Sequence, residues 1–98
     1  MYDRTHDILN HYEWDPAKER ANRAKHGIAF LDAVAVLESE HAIRIQDDEA
    51  GEQRQVSLGF DAIGRVLVVV WTWRGDRARM ISARRATAAE RAALVWKR

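Results

Sequence analysis

Arg77, Arg79, Arg84 and Arg85 fall within nine positions of one another, with Met80, Ile81 and Ala83 between them. A solvated tail would not interleave apolar residues in this way. The stretch reads as a β-strand that lies inside a sheet and carries guanidinium groups near its ends or on its open face. Guanidinium is permanently charged and forks onto phosphate oxygens, so an anionic partner is the first chemistry to consider. An edge strand kept soluble by charge is the competing reading. Lys25-His26-Gly27 is the second place where chemistry could reside. A histidine at a helix C-terminus is favoured as a cation by the helix dipole and can titrate near neutrality. From this feature alone, a cap that bonds the loose carbonyls of the last turn carries more weight than a catalytic role.

Other reactive patterns are missing. The sequence has no cysteine, which excludes disulfides, thiolate chemistry and cysteine-based zinc sites. No histidine pair has metal-ligand spacing, and there is no glycine-rich phosphate loop or serine nucleophile elbow. Asp47, Asp48, Glu49 and Glu52 could bind a hard cation, but a solvated turn accounts for them more simply. No cofactor and no metal are therefore expected. What remains is a set of bases, one imidazole and some carboxylates. That set suits metal-free cleavage of RNA, in which the substrate brings its own nucleophile, the 2′-hydroxyl. The protein need only remove a proton, protonate the leaving 5′-oxygen and stabilise charge on the phosphate. Arginines and lysines supply the last task, and His26, Lys25 or Glu52 could supply the others. Trp71 and Trp73 could stack bases, but they share a face of a central strand and read first as core.

The elements that position these residues follow from periodicity. The chain of 98 residues makes one small domain. Residues 1–11 show no apolar period and read as a flexible leader to a domain at 12–98. Charges in the first seven residues stand where a signal peptide needs an apolar run, so a cytoplasmic protein with no membrane association is expected. Tyr12 to Trp14 reads as a short extended segment. Asp15-Pro16 starts a helix that Gly27 ends, with Ala17, Ala21 and Ala24 as its expected buried stripe and Lys18, Asn22 and Lys25 on the other side. Phe30, Ala33, Val34 and Leu37 mark a second helix at about 30–39. Strands are expected at 41–47, 54–60 and 66–73, the last apolar on both faces and hence central. The arginine strand should pair antiparallel with it across a turn at Arg74-Gly75-Asp76. Thr87 to Glu90 is a capping box that opens a final helix closed by Leu94, Val95 and Trp96. The expectation is an α+β domain: two N-terminal helices, a four-stranded antiparallel meander and a C-terminal helix, with the helices on one face of the sheet.

Charge is unevenly spread although the net is only +1. Between Glu38 and Glu52 six acids face Arg44 alone, whereas from Arg74 onward eight bases face Asp76 and Glu90. The basic end is a candidate nucleic-acid footprint, and the acidic stretch a turn or a dock for a basic partner.

Four blocks, in order, then match something known. They are Tyr12-Glu13-Trp14-Asp15-Pro16-Ala17-Lys18; Asn22, Lys25-His26-Gly27 and Phe30; Asp47-Asp48, Gly51-Glu52 and Arg54; and Arg79-Met80-Ile81-Ser82-Ala83-Arg84 with Thr87. Together they resemble the BrnT toxin family over roughly residues 12 to 97. The resemblance implies a type II toxin with a RelE-like fold that acts as a ribonuclease and inhibits translation and growth. It also implies a BrnA-like ribbon-helix-helix antitoxin, and operator DNA bound only through that complex. Ribonucleases of that fold often rely on clustered Lys and Arg, which directs attention to Lys25, His26, Arg79 and Arg84 as catalytic residues. Arg54, Arg77 and Glu52 follow as RNA or phosphate contacts. One difficulty stands: strict alternation puts Arg77 and Arg79 on one strand face and Arg84 on the other, unless a bulge intervenes. The alternative function is a non-catalytic module, or a decayed toxin, that binds the antitoxin and assists operon repression.

Overall fold

The computed structural model describes residues 10–47 and 53–97. Within them the order is β1 (Tyr12–Glu13), α1 (Pro16–His26), α2 (Phe30–Glu38), β2 (Ile43–Asp47), β3 (Arg54–Phe60), β4 (Val66–Arg74), β5 (Arg77–Arg85) and α3 (Ala88–Lys97). The expected leader at 1–11 falls almost wholly outside the described residues; Asn10 and His11, at its end, have helical backbone. None of the described helices is long and apolar enough to cross a membrane.

The local signals act as the sequence suggests. Asp15 Oδ1 accepts from the Ala17 N–H at 2.8 Å, Pro16 opens α1, and Gly27 closes it at φ 72° with its N–H on the Arg23 carbonyl. Thr87 and Glu90 form the reciprocal cap of α3: the Thr87 N–H donates to Glu90 Oε1 and the Glu90 N–H to Thr87 Oγ1.

The sheet differs from the expected four-stranded meander. It has five strands in the order β1-β5-β4-β3-β2, and β1 pairs parallel with β5 through Tyr12↔Ala78 and Glu13↔Arg79. The remaining pairings are antiparallel, with the apolar β4 at the centre. The extended segment read at Tyr12 to Trp14 is this strand, but a pattern so short does not name its partner; it pairs because β5 offers it an open edge.

The helices are also not all on one face. Ile28 and, from α2, Phe30, Ala33, Val34 and Val36 pack on Leu67, Val69, Trp71, Ala78, Met80 and Ala83 to form the main core. On the opposite face Val66 and Val68 are buried, and α3 rests against β3 with Leu94 enclosed. Val95 and Trp96, expected to help close the chain, remain exposed. Along β3 the small residues face α2: Ser57 is buried, and a Cβ on Gly59 would meet Ala42 Cβ at 3.1 Å and Val36 Cγ1 at 3.3 Å.

The largest correction concerns α1. Ala17, Ala21 and Ala24 are exposed, whereas Asn22 is only 8% exposed. Beyond Arg79, β1 no longer covers β5, and the strand edge needs hydrogen-bonding groups rather than methyls. Asn22 supplies them: its Nδ2 donates to the Ala83 carbonyl at 2.9 Å and its Oδ1 accepts from the Ala83 N–H at 3.1 Å. The same Nδ2 reaches the Ile28 carbonyl at 3.3 Å. Replacing Asn22 with Ala strands buried donors and acceptors, at about 2–3 kcal/mol of stability. Urea unfolding should show that loss, and Asn22→Asp should rescue none of it, because a carboxylate would face two carbonyl oxygens. An unchanged midpoint for Asn22→Ala would refute the role.

Candidate active site

The position of the arginines depends on one irregularity. β5 pairs with β4 in steady register from Arg77↔Arg74 to Met80↔Trp71, then shifts so that Ser82 stands opposite Val70. Ile81 is the additional residue. Residues directly opposite each other in a ladder point to the same side, so the shift resets the alternation of β5. Arg77, Arg79, Ser82 and Arg84 consequently share the face of Arg74, Thr72, Val70 and Val68. Without the extra residue Arg84 would point into the main core. Arg54 on β3, beside Val56, is on this face as well and is half-buried.

Two of these cations are held by acids. Arg79 Nη1 donates to Glu13 Oε2 at 2.7 Å, an ion pair made possible by the β1–β5 pairing. Arg84 forks onto Glu90, Nη1 to Oε1 at 2.8 Å and Nη2 to Oε2 at 2.9 Å, and Nη1 also reaches the Arg85 carbonyl at 3.2 Å. Charge-assisted bonds of this geometry are directional as well as strong, so each guanidinium is oriented and not merely present. Arg77 and Arg74, near the β4–β5 turn, are exposed.

Lys25 and His26 end α1, Lys25 exposed and His26 half-buried. With Lys18, Ala21 and Asn22 they form one wall of a shallow groove whose other wall is Ile81 and Ser82. Ser82 therefore belongs both to the groove and to the arginine face. The strand edge fastened by Asn22 is the place where the two sets meet. Glu52 lies outside the described residues. Among the described residues no group of three or more His, Cys, Asp or Glu is placed to hold a metal ion.

The described candidates thus form two adjoining sets. Arg54, Arg77, Arg79 and Arg84 occupy a sheet face, and Lys25 and His26 occupy its rim. A run of cations beside a titratable imidazole can hold a polyanion and exchange protons with it.

A profile of the ribonuclease toxin BrnT of type II toxin–antitoxin systems matches residues 14–90. The chain belongs to the BrnT family. Among solved structures, that of the Brucella abortus ribonuclease toxin BrnT, determined at 1.1 Å, is similar with a TM-score of 0.64 and 25% identity. The match covers 79% of this chain and 97% of that one. Among curated proteins none matches. Every candidate site residue falls inside the region matched by the BrnT profile, and membership in a type II toxin–antitoxin family implies an antitoxin partner.

Glu13 and Glu90 escaped the sequence reading. Glu90 is visible there only as the second half of a capping box, and nothing local shows that its carboxylate also receives Arg84. Glu13 becomes a partner only when β1 docks. The consequence for Glu90 is measurable. The Arg84 hydrogen bonds, followed by the Thr87 N–H, hold its carboxyl at about 2, well below the ordinary 4.5, while burial opposes them. The same hydrogen bonds to Glu90 raise Arg84 above its ordinary value, while burial opposes them. A depressed carboxylate stabilises the fold above its unfolded pKa and loses that contribution as pH falls through the folded value. Wild type should accordingly exceed Glu90→Gln in thermal stability at neutral pH, with the gap closing between about pH 4.5 and about pH 2. A gap independent of pH would show that the ion pair is not its source.

Proposed function

We propose that this chain is an endoribonuclease toxin that cleaves RNA without a metal ion, through the substrate's own 2′-hydroxyl. The observation that carries the reading is the convergence of Arg77, Arg79 and Arg84 on one sheet face, bordered by Lys25 and His26, inside the region that matches the BrnT profile. In this reading the scissile phosphate lies on the arginine face near Ser82. His26 or Lys25 removes the 2′-hydroxyl proton as that oxygen attacks phosphorus. The bond to the 5′-oxygen breaks, leaving a cyclic phosphate, and a proton is returned to the departing oxygen. Glu52 is the remaining candidate for one of the two proton transfers.

Arg79, oriented by Glu13, stabilises the charge that accumulates on the phosphoryl oxygens. Arg84 contributes its field while anchoring α3 through Glu90. Arg54 and Arg77 hold flanking phosphates. Cleavage of RNA in the cell would inhibit translation and arrest growth, and a BrnA-like ribbon-helix-helix antitoxin would neutralise the toxin and bind operator DNA for the pair.

A second reading draws on the acids that already pair with Arg79 and Arg84. With their charges compensated, the face could serve a non-catalytic module that binds antitoxin and assists repression. Strand scission separates the two. Purified protein incubated with total RNA in EDTA should degrade it, and Arg79→Ala should cut the rate by about 10²-fold or more, the usual cost of removing a donor aimed at developing charge. Arg84→Ala should lower both rate and thermal stability. Salt-sensitive binding of nucleic acid by wild type, with no scission and no growth arrest on expression, would instead establish the binding module.

A further inference from the structure

α2 ends at Glu38, and beyond it the described residues leave a cleft on the sheet face that carries the main core. The cleft, of about 360 Å³, is on the side of the sheet opposite the arginine face. Its walls include His11, Glu38, Arg44, Trp71, Trp73 and Asp76. The volume lies within the range of small-molecule sites, about 300–1,000 Å³.

The two tryptophans divide the work expected of an aromatic site. Trp71 is buried and its Nε1 donates to Ser57 Oγ at 2.9 Å, so it is a fixed base plate. The Arg44 guanidinium lies over its ring, 5.0 Å from the centroid. Trp73 stands edge-on to Trp71 at 5.1 Å and 82°, yet is 57% exposed. Its neighbour two residues earlier is core; Trp73 is a cleft wall with its indole available.

The charges identify what would fit. Two carboxylates and one guanidinium make a poor phosphate site, because Glu38 and Asp76 only accept hydrogen bonds when ionised. Glu38 already accepts from the Tyr12 hydroxyl at 3.0 Å, which steadies it. The cleft suits a flat, neutral heterocycle with donors on one edge and acceptors on another. Guanine is the nucleobase with two adjacent donors, N1–H and N2–H2, on its Watson–Crick edge, and its O6 and N7 accept from arginine. Adenine and cytosine each set an acceptor beside their donor, and uracil has one donor between two acceptors. We propose that this cleft receives an unpaired guanine of a single-stranded RNA, stacked on Trp73 and read by Glu38, Asp76 and Arg44.

The β4–β5 turn links this subsite to the opposite face. Asp76 of the turn lines the cleft, whereas Arg74 and Arg77 flank it on the arginine side. A strand with one base in the cleft would pass around this tip, with its phosphates against those two arginines. The RNA in the proposal rests on the ribonuclease reading, but base selection is separable from cleavage.

The test is fluorescence anisotropy with 2′-O-methyl hexanucleotides, which keep the base edges and block the nucleophile. One probe holds a single guanine, and the other has adenine in its place. Wild type should bind the guanine probe about 10-fold more tightly, the lower end of what one bidentate base-edge contact discriminates, and Trp73→Ala should lose that margin because the base is no longer held against the groups that read it. Glu38→Gln should abolish the preference and leave the adenine probe unaffected. Circular dichroism confirms that each variant is folded. Equal binding of the two probes by wild type, or a preference that survives Trp73→Ala, overturns the proposal. So does a Trp73→Ala variant that binds RNA normally but its antitoxin weakly. The total-RNA assay is run on the same wild-type preparation. Scission without guanine preference removes the subsite and keeps the ribonuclease; a Trp73-dependent preference without scission does the reverse.

Discussion

A single side-chain amide makes this architecture possible. Asn22 presents a donor and an acceptor to the backbone of Ala83, as a neighbouring strand would, along the part of β5 that β1 does not cover. An open strand edge cannot be buried under a helix unless its N–H and C=O groups are satisfied. With Asn22 in place, α1 lies across that edge, and its C-terminal Lys25 and His26 are brought beside Ile81 and Ser82. The third bond, to the Ile28 carbonyl, ties the loop between α1 and α2 to the same point. One amide thus couples the helix pair to the arginine strand.

The bulge at Ile81 is the second constraint, and it works on charge. A run of arginines in a regular strand would divide between two faces, and one of these is the main core. The extra residue turns Arg84 away from that core and sets Arg85, at the strand end, on the side of Leu67, so that Arg77, Arg79 and Arg84 share the other side of the sheet. Concentrating like charges there costs electrostatic energy, which Glu13 and Glu90 offset from β1 and α3. The same pairs fasten the shortest strand and the last helix to β5. Stability and the geometry of the arginine face are therefore supplied by the same contacts, and the face is set before any ligand arrives.

The two sides of the sheet carry complementary chemistry. The arginine side offers charge to a phosphate backbone; the cleft side offers an indole, two carboxylates and a stacked guanidinium. The β4–β5 turn, with Gly75 at φ 63°, brings the two within reach of one flexible strand. Backbone contacts position a nucleic acid and base contacts distinguish it, and under the proposals made above these two tasks fall on opposite sides of one layer of sheet.

Much of the frame was legible from sequence because its signals are local. Asp15-Pro16 and Gly27 bound α1, the period through Phe30, Ala33 and Val34 marks α2, and Thr87 with Glu90 opens α3, each through contacts within a turn or two of chain. The apolar run of β4 declared itself a central strand because both its faces needed cover. The four blocks that resemble the BrnT family carried the identity, and the arginines and the Lys25-His26 pair, singled out by residue type, lie on adjoining surfaces. Tertiary structure alone decided how they are arranged. The parallel pairing of β1, the burial of Asn22 in place of the α1 alanines, the resetting of β5 at Ile81 and the exposure of Trp73 beside a buried Trp71 all arise between segments distant in the chain. Periodicity records which residues avoid water. It does not record which strand edge lies open or which acid will meet which arginine, because those depend on partners that only the folded chain brings together.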